Sequence, residues 1–185
     1  MTKLFVAVAA ATTLLAAPAF AGSLEIEGVL SDPVGGRQDS TGLTAEYTDR
    51  LYKDIDFGLE FQANQLENAG ALSNAAVAKL STDIAGPAGV TLTPFVEVGR
   101  AFGQGDNFSF WGAELQASKV IQGPVTGVVG IRHREGFDTD LLDETRLAAG
   151  LQYAVTERQA VGVTYYRTRG SSDRDSVGIS YTVKF

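Results

Sequence analysis

The sequence contains no cysteine, so neither a disulfide nor a thiolate metal site contributes to the fold. After the first 21 residues, no apolar stretch approaches the roughly 20 residues that a membrane-spanning helix needs. Any membrane role must therefore depend on strands. Basic residues are too few to offset the acidic ones, and the formal net charge of −7 argues against a nucleic-acid partner, which would favour a basic surface.

The N-terminal segment has the pattern of a secretory signal peptide. Lys3 supplies a charged start, residues 4–17 form an apolar run, and Ala19 and Ala21 occupy the two small positions of a cleavage site. The run is too short for a retained membrane helix. We therefore expect residues 1–21 to be a cleaved signal peptide and residues 22–185 to form one exported domain.

Beyond that segment, apolar residues recur with a period of two, which is typical of strands and not of helices. The end of the chain shows this most clearly, because apolar side chains there alternate with polar or small ones. The apolar members are Val177, Ile179, Tyr181, Val183 and Phe185. Similar alternation occurs at residues 55–62, 90–98, 111–117 and 146–153. Such segments form strands with one apolar and one polar face.

Turn-like breaks divide these strands into hairpins. Tight turns are predicted near residues 50–53, 86–89, 122–124 and 156–158, and more polar loops at residues 31–39, 67–70, 103–107, 135–143 and 170–173. Five hairpins predict about ten strands of roughly 10 to 13 residues, the length of a tilted membrane-crossing strand. Eight strands is the alternative, since the first strand is short and its loop contains Pro33.

The predicted fold class is all-β, a closed antiparallel transmembrane β-barrel. In lipid every backbone donor and acceptor needs a partner, and closure leaves no unpaired strand edge. A soluble periplasmic barrel or sandwich would place its apolar face inside. In this sequence the face opposite the apolar one carries most of the charge, which favours a barrel with lipid outside and a polar lumen.

Strand parity predicts which charged side chains point into that lumen. The expected lumen network, which would also line a pore, consists of Glu60, Lys79, Glu97, Glu114, Arg132, Arg134 and Arg146. Further inward acids and bases are Glu25, Glu27, Glu46, Asp56, Asp83 and Lys184. Opposite charges in a narrow interior should pair, because an unpaired buried charge is costly, and this predicts a salt-bridged plug.

The alternative to a plug is a narrow passive pore. Glycines such as Gly99, Gly112 and Gly178 share the inward face and leave space there. The same space could instead accept inward aromatic rings such as Phe110 and Tyr166, since a strand glycine often marks the close approach of a neighbour. If a pore exists, the excess of acids favours cations over anions.

The terminal residues Tyr181 to Phe185, together with the signal peptide, resemble those of the small monomeric outer-membrane β-barrel proteins of Gram-negative bacteria. The resemblance implies that the alternating C-terminal strand ending in Phe185 is recognised by the barrel-assembly machinery. It also implies an outer-membrane location, contact with lipid and lipopolysaccharide, and both termini in the periplasm. A narrow pore or a structural outer-membrane protein is the function expected.

A lipid A-modifying hydrolase and a surface-binding or adhesion barrel are the alternative functions. His133, the single histidine, has lipid-facing parity, weakly similar to the histidine of barrels that deacylate lipid A. A serine nucleophile needs a base within hydrogen-bond reach, and Ser109 on the neighbouring strand is a poor candidate. The acidic segment 135–143 lacks the ligand spacing of a calcium loop. No enzyme activity, catalytic residue, metal site or cofactor is therefore predicted.

Overall fold

The computed structural model describes residues 22–33, 40–66, 72–103, 107–171 and 173–185. The predicted signal peptide, the predicted polar loop at residues 67–70 and most of the predicted loops at residues 31–39 and 103–107 lie outside these ranges. Among the residues described, no helix is long and apolar enough to cross a membrane.

The described residues form eleven strands. Their bounds are β1 Ser23–Pro33, β2 Ser40–Tyr52, β3 Ile55–Leu66, β4 Leu72–Thr82, β5 Ile84–Ala85, β6 Val90–Gly103, β7 Phe108–Gln122, β8 Val125–Gly136, β9 Asp143–Thr156, β10 Gln159–Gly170 and β11 Arg174–Lys184. Apart from β5, the strands are 11 to 15 residues long, which suits a tilted crossing of the hydrocarbon layer.

The long strands close into a ring of ten antiparallel members. Consecutive strands pair, β4 pairs with β6, and β1 pairs with β11 to join the two ends of the chain. The short β5 pairs only with Thr91 and Leu92 of β6 and lies outside the ring. The prediction of a closed ten-stranded barrel is confirmed, and the eight-strand alternative is wrong.

The tight turns lie at one end of the barrel, close to where they were predicted. Two-residue turns occupy residues 53–54, 123–124 and 157–158, and Gly123 has the positive φ of 53° that favours glycine. The first turn falls slightly later than predicted, because β2 continues through an irregularity to Tyr52. At the same end, the Phe185 N–H donates to the Gly22 carbonyl at 2.9 Å. Short turns mark the periplasmic end of an outer-membrane barrel, and we call this the inner end.

The two faces of the wall are inverted relative to a soluble protein. Large apolar side chains point outward and are exposed, for example Val96 at 59% and Ile179 at 68%. Of the C-terminal residues, Val177, Tyr181 and Phe185 are also exposed, and Val183 is half-buried. An apolar surface of this extent requires lipid as its solvent.

Candidate functional site

The lumen is crossed by a layer of paired charges, here called the ion-pair layer. Arg134 of β8 donates from Nε to Glu97 of β6 at 2.5 Å and from Nη2 to Glu60 of β3 at 3.2 Å. Lys79 of β4 donates to the same Glu60 at 2.5 Å and to Glu46 of β2 at 2.7 Å. Since β3 and β8 lie four steps apart in the ring, the bond between Arg134 and Glu60 joins nearly opposite walls.

Four of the five side chains in the layer are almost completely withdrawn from water, whereas that of Glu46 is 25% exposed. The side chains of Glu60, Glu97, Lys79 and Arg134 are 4%, 2%, 8% and 5% exposed. Buried charges of this kind are tolerated only when each has an opposite partner and good hydrogen bonds. The predicted pairing of opposite charges is therefore present among these four side chains.

An aromatic ring covers the outer side of the ion-pair layer. Phe110 of β7 is 2% exposed, and the guanidinium of Arg134 lies 5.0 Å from its ring centroid. Ala75 and Val77 pack with Phe110 into a small buried apolar cluster. The ring thus excludes water from the charges beneath it, which strengthens their attraction.

The inward glycines do not leave an open path. A Cβ at Gly99 would lie 2.4 Å from the Phe110 ring, and one at Gly112 would lie 2.5 Å from Glu97. The Glu27 carboxylate occupies the space at Gly178, where an added Cβ would lie 2.1 Å from it. The interpretation of these glycines as pore space is wrong, because each accommodates a neighbouring lumen side chain.

The other three predicted network residues share the lumen but make no ion pair with the layer. Arg132 is 4% exposed, and within the described structure its Nε has no hydrogen-bond partner. It lies in register between Glu114 of β7 and Arg146 of β9. Arg146 stacks instead over Tyr166, 4.4 Å from the ring centroid. Complete charge pairing, as predicted, is therefore wrong for Arg132.

Sequence reasoning missed one lumen pair and misjudged two positions. Glu144 of β9 is buried and lies 3.2 Å from Arg174 of β11, although strand parity with Arg146 could have identified it. Asp83 and Lys184, predicted to point into the lumen, are exposed near the inner end of the barrel. Asp83 interrupts the strand between β4 and β5, and Lys184 ends β11, so neither lies within the enclosed part of the barrel.

Cavities lie on both sides of the ion-pair layer, with a mainly polar lining on the inner side and a mixed polar and apolar lining on the outer side. The inner one, of about 230 Å³, is lined by five carboxylates and two cationic side chains: Glu25, Glu27, Glu46, Glu60, Glu114, Lys79 and Arg146. The outer one, of about 420 Å³, is lined by Asn64, Asn74, Gln62, Arg134, Glu144 and Arg174 among others. Gln62 borders both cavities and donates to Glu60 at 2.6 Å. The inner cavity therefore has an excess of negative charge.

His133 lies on the lipid-facing side of the barrel wall, as predicted. Its Nδ1 is 3.2 Å from the Thr145 hydroxyl, and its ring packs edge-on against Trp111 at 6.0 Å. His133 pairs with Ala113 on β7, so Ser109 lies four residues further along that strand, about 13 Å away. The structure does not bring a base to Ser109, and the described residues contain no cluster of three or more metal-ligating side chains.

No protein-family model matches this sequence, and no curated protein matches it. Solved structures do match. The β domain of the Bordetella autotransporter BrkA is 12% identical with a TM-score of 0.59, over 89% of this chain and 100% of that one. An outer membrane channel from Pseudomonas putida F1 is 9% identical with a TM-score of 0.57, over 91% and 97%. The KdgM porin in complex with disordered oligogalacturonate is 10% identical with a TM-score of 0.54, over 88% and 99%.

The fold is that of an outer-membrane β-barrel protein. The apolar outer surface agrees with this, and together they support an outer-membrane location. The three matched proteins are an autotransporter domain, a channel and a porin, so the shared fold does not decide the activity of this chain. The activity has to be argued from the lumen.

Proposed function

We propose that the protein is a narrow outer-membrane pore whose lumen is closed at rest by the ion-pair layer. The observation that carries this proposal is the pair of cavities, about 230 and 420 Å³ in volume, which approach each other from the two ends of the barrel. The ion-pair layer and the Phe110 ring above it form the barrier between them. Movement of a few side chains, without any change in the wall, would join the cavities.

Arg134 is the side chain whose movement matters most, because among the described residues it is the one on β8 that bonds both Glu97 and Glu60. Transient release of Arg134 from Glu97 would open a polar path beside the Phe110 ring. Each opening separates buried charges, so openings are expected to be rare and brief. Two proteins that share the fold are a porin and a channel, which supports a pore over a purely structural role.

The inner cavity determines which ions pass. Five carboxylates face two cationic side chains there, and rings of carboxylates stabilise a cation at close range. Glu114 belongs to this lining and has no ion pair within the described structure. We expect the pore to prefer cations, and we expect Glu114 to contribute to that preference without affecting opening.

Single-channel recording of the refolded mature protein in a planar bilayer tests the proposal. The parent should show infrequent, small, cation-selective steps. Glu97→Gln weakens the hold on Arg134 and should raise the open probability, whereas Glu114→Gln should lower cation selectivity and leave the open probability unchanged. Glu135 is an exposed acid on the lipid-facing side of β8. Glu135→Gln is therefore the matched control and should behave as the parent.

The second candidate is a structural outer-membrane protein with a permanently closed lumen. It is favoured by the close packing of Gly99 against Phe110 and of Gly112 against Glu97, which leaves no unfilled gap at those points. The two candidates separate in the same recording. Silence of both the parent and folded Glu97→Gln would overturn the pore and leave the structural role.

A further inference from the structure

The lipid-facing wall contains an apolar trough over β3, β4 and β6. Its floor is formed by Ala76 and Ala78 of β4, whose short side chains lie in register between larger neighbours. Those neighbours, two from β3 and two from β6, are Leu59, Phe61, Val98 and Arg100. The cavity to which this trough belongs also extends over Ala45 and Tyr47 of β2, and its volume of about 740 Å³ is enough to hold part of an extended hydrocarbon chain.

The outer end of the trough is polar. Arg100 lies three residues before the end of β6 on its outward face, with Ser109 of β7 beside it in register. Arg100 is exposed, and its guanidinium forms no hydrogen bond or ion pair with the residues that the structure describes. A guanidinium on a lipid-facing wall needs an anion or water, because hydrocarbon does not solvate its charge.

We propose that the trough and Arg100 together bind one lipopolysaccharide molecule of the outer leaflet. One acyl chain occupies the floor over Ala76 and Ala78, and a phosphate of the lipid A headgroup is bound by Arg100 with Ser109 as an additional donor. The planar fork of an arginine matches the geometry of a phosphate, which a simple point charge does not. The short turns are at the opposite end of the barrel, so Arg100 lies on the side of the outer leaflet.

A second outward arginine supplies a matched control. Arg167 lies three residues before the end of β10, the same distance from its strand end as Arg100, and it is also exposed. Its partners in register are the bulky Leu147 of β9 and the acidic Asp175 of β11. Arg167 therefore has the charge of Arg100 and the same distance from its strand end, but no trough of small residues beside it.

Native mass spectrometry of the refolded mature protein in detergent measures the binding. The probes are bisphosphorylated lipid A, lipid A with the same chains but no phosphate, and phosphatidylglycerol. The parent should retain one bisphosphorylated lipid A. Loss of a charge-assisted bond to phosphate in Arg100→Gln should weaken retention about tenfold, and Arg100→Lys should recover part of it. Arg167→Gln should change it less than about twofold.

The trough is tested separately by Ala78→Leu, which fills its floor and keeps the charge of Arg100. This variant should weaken binding of both forms of lipid A, whereas Arg100→Gln should affect only the phosphorylated one. The site would be overturned if Arg100→Gln and Arg167→Gln gave equal losses, or if Ala78→Leu bound lipid A as the parent does. Equal retention of phosphatidylglycerol and lipid A would overturn lipopolysaccharide as the occupant. All of these outcomes are independent of whether the lumen conducts.

Discussion

Arg134→Gln should be among the most destabilising single substitutions in the lumen. Glu97 receives two hydrogen bonds from Arg134, at 2.5 and 2.9 Å, and its side chain is 2% exposed. In the variant, none of the described residues is left as a cationic partner within bonding distance of Glu97, whereas Glu60 keeps Lys79 at 2.5 Å. Removing one member of a buried ion pair costs about 3–5 kcal/mol of unfolding free energy, because the remaining charge stays buried without compensation.

A double-variant cycle separates this cost from the general loss of packing. Glu97→Gln with Arg134→Gln removes both charges, and a buried pair replaced by neutral groups of similar size often leaves stability almost unchanged. We therefore expect the double variant to be more stable than Arg134→Gln alone, with a coupling free energy of about 2 kcal/mol or more. Arg158→Gln, at an exposed turn, should change stability by less than about 0.5 kcal/mol.

Urea unfolding of the mature barrel in lipid vesicles measures these differences. The single tryptophan, Trp111, lies on the outward face of β7 and reports its transfer from lipid to water. The reasoning is refuted if Arg134→Gln costs less than about 1 kcal/mol, or if the two single effects add without coupling. Either result would mean that water reaches the ion-pair layer and compensates the remaining charge.

Two further predictions concern packing and assembly. Gly99→Ala should lower the free energy of unfolding by about 1–3 kcal/mol in the same assay, because its Cβ would lie 2.4 Å from the Phe110 ring. Gly28→Ala is the control, since a Cβ there has nothing within 4 Å. Equal effects of the two substitutions would contradict the packing argument. Phe185→Ser should reduce the amount of folded barrel in outer-membrane fractions of cells, as the family resemblance implies. Phe137→Ser, which alters an exposed aromatic residue after β8, should not, and equal yields for Phe185→Ser and the parent would argue against recognition of the C-terminal strand.

The alternation in the sequence was enough to predict the wall of the barrel. Side chains in a strand alternate strictly between two faces, so the outward position of Ile179 and the inward position of Glu97 follow from local pattern alone. Turn residues such as Gly123 and Pro124 located the short connections, because their backbone preferences are also local. The predictions of the strand number and of the lumen charges rest on the alternation and the turn residues together.

Parity says which face a side chain occupies, but it does not say at what level along the barrel it lies. The level depends on the stagger between strands around the closed ring, which no local pattern encodes. For this reason only the tertiary structure showed that Arg134 bonds Glu60, 74 residues away, while the Nε of Arg132 on the same strand has no hydrogen-bond partner among the described residues. The register between the neighbouring strands β6 and β7 places Phe110 over Gly99, so whether an inward glycine means an open path or a filled one is decided by which side chain the paired strand brings opposite it.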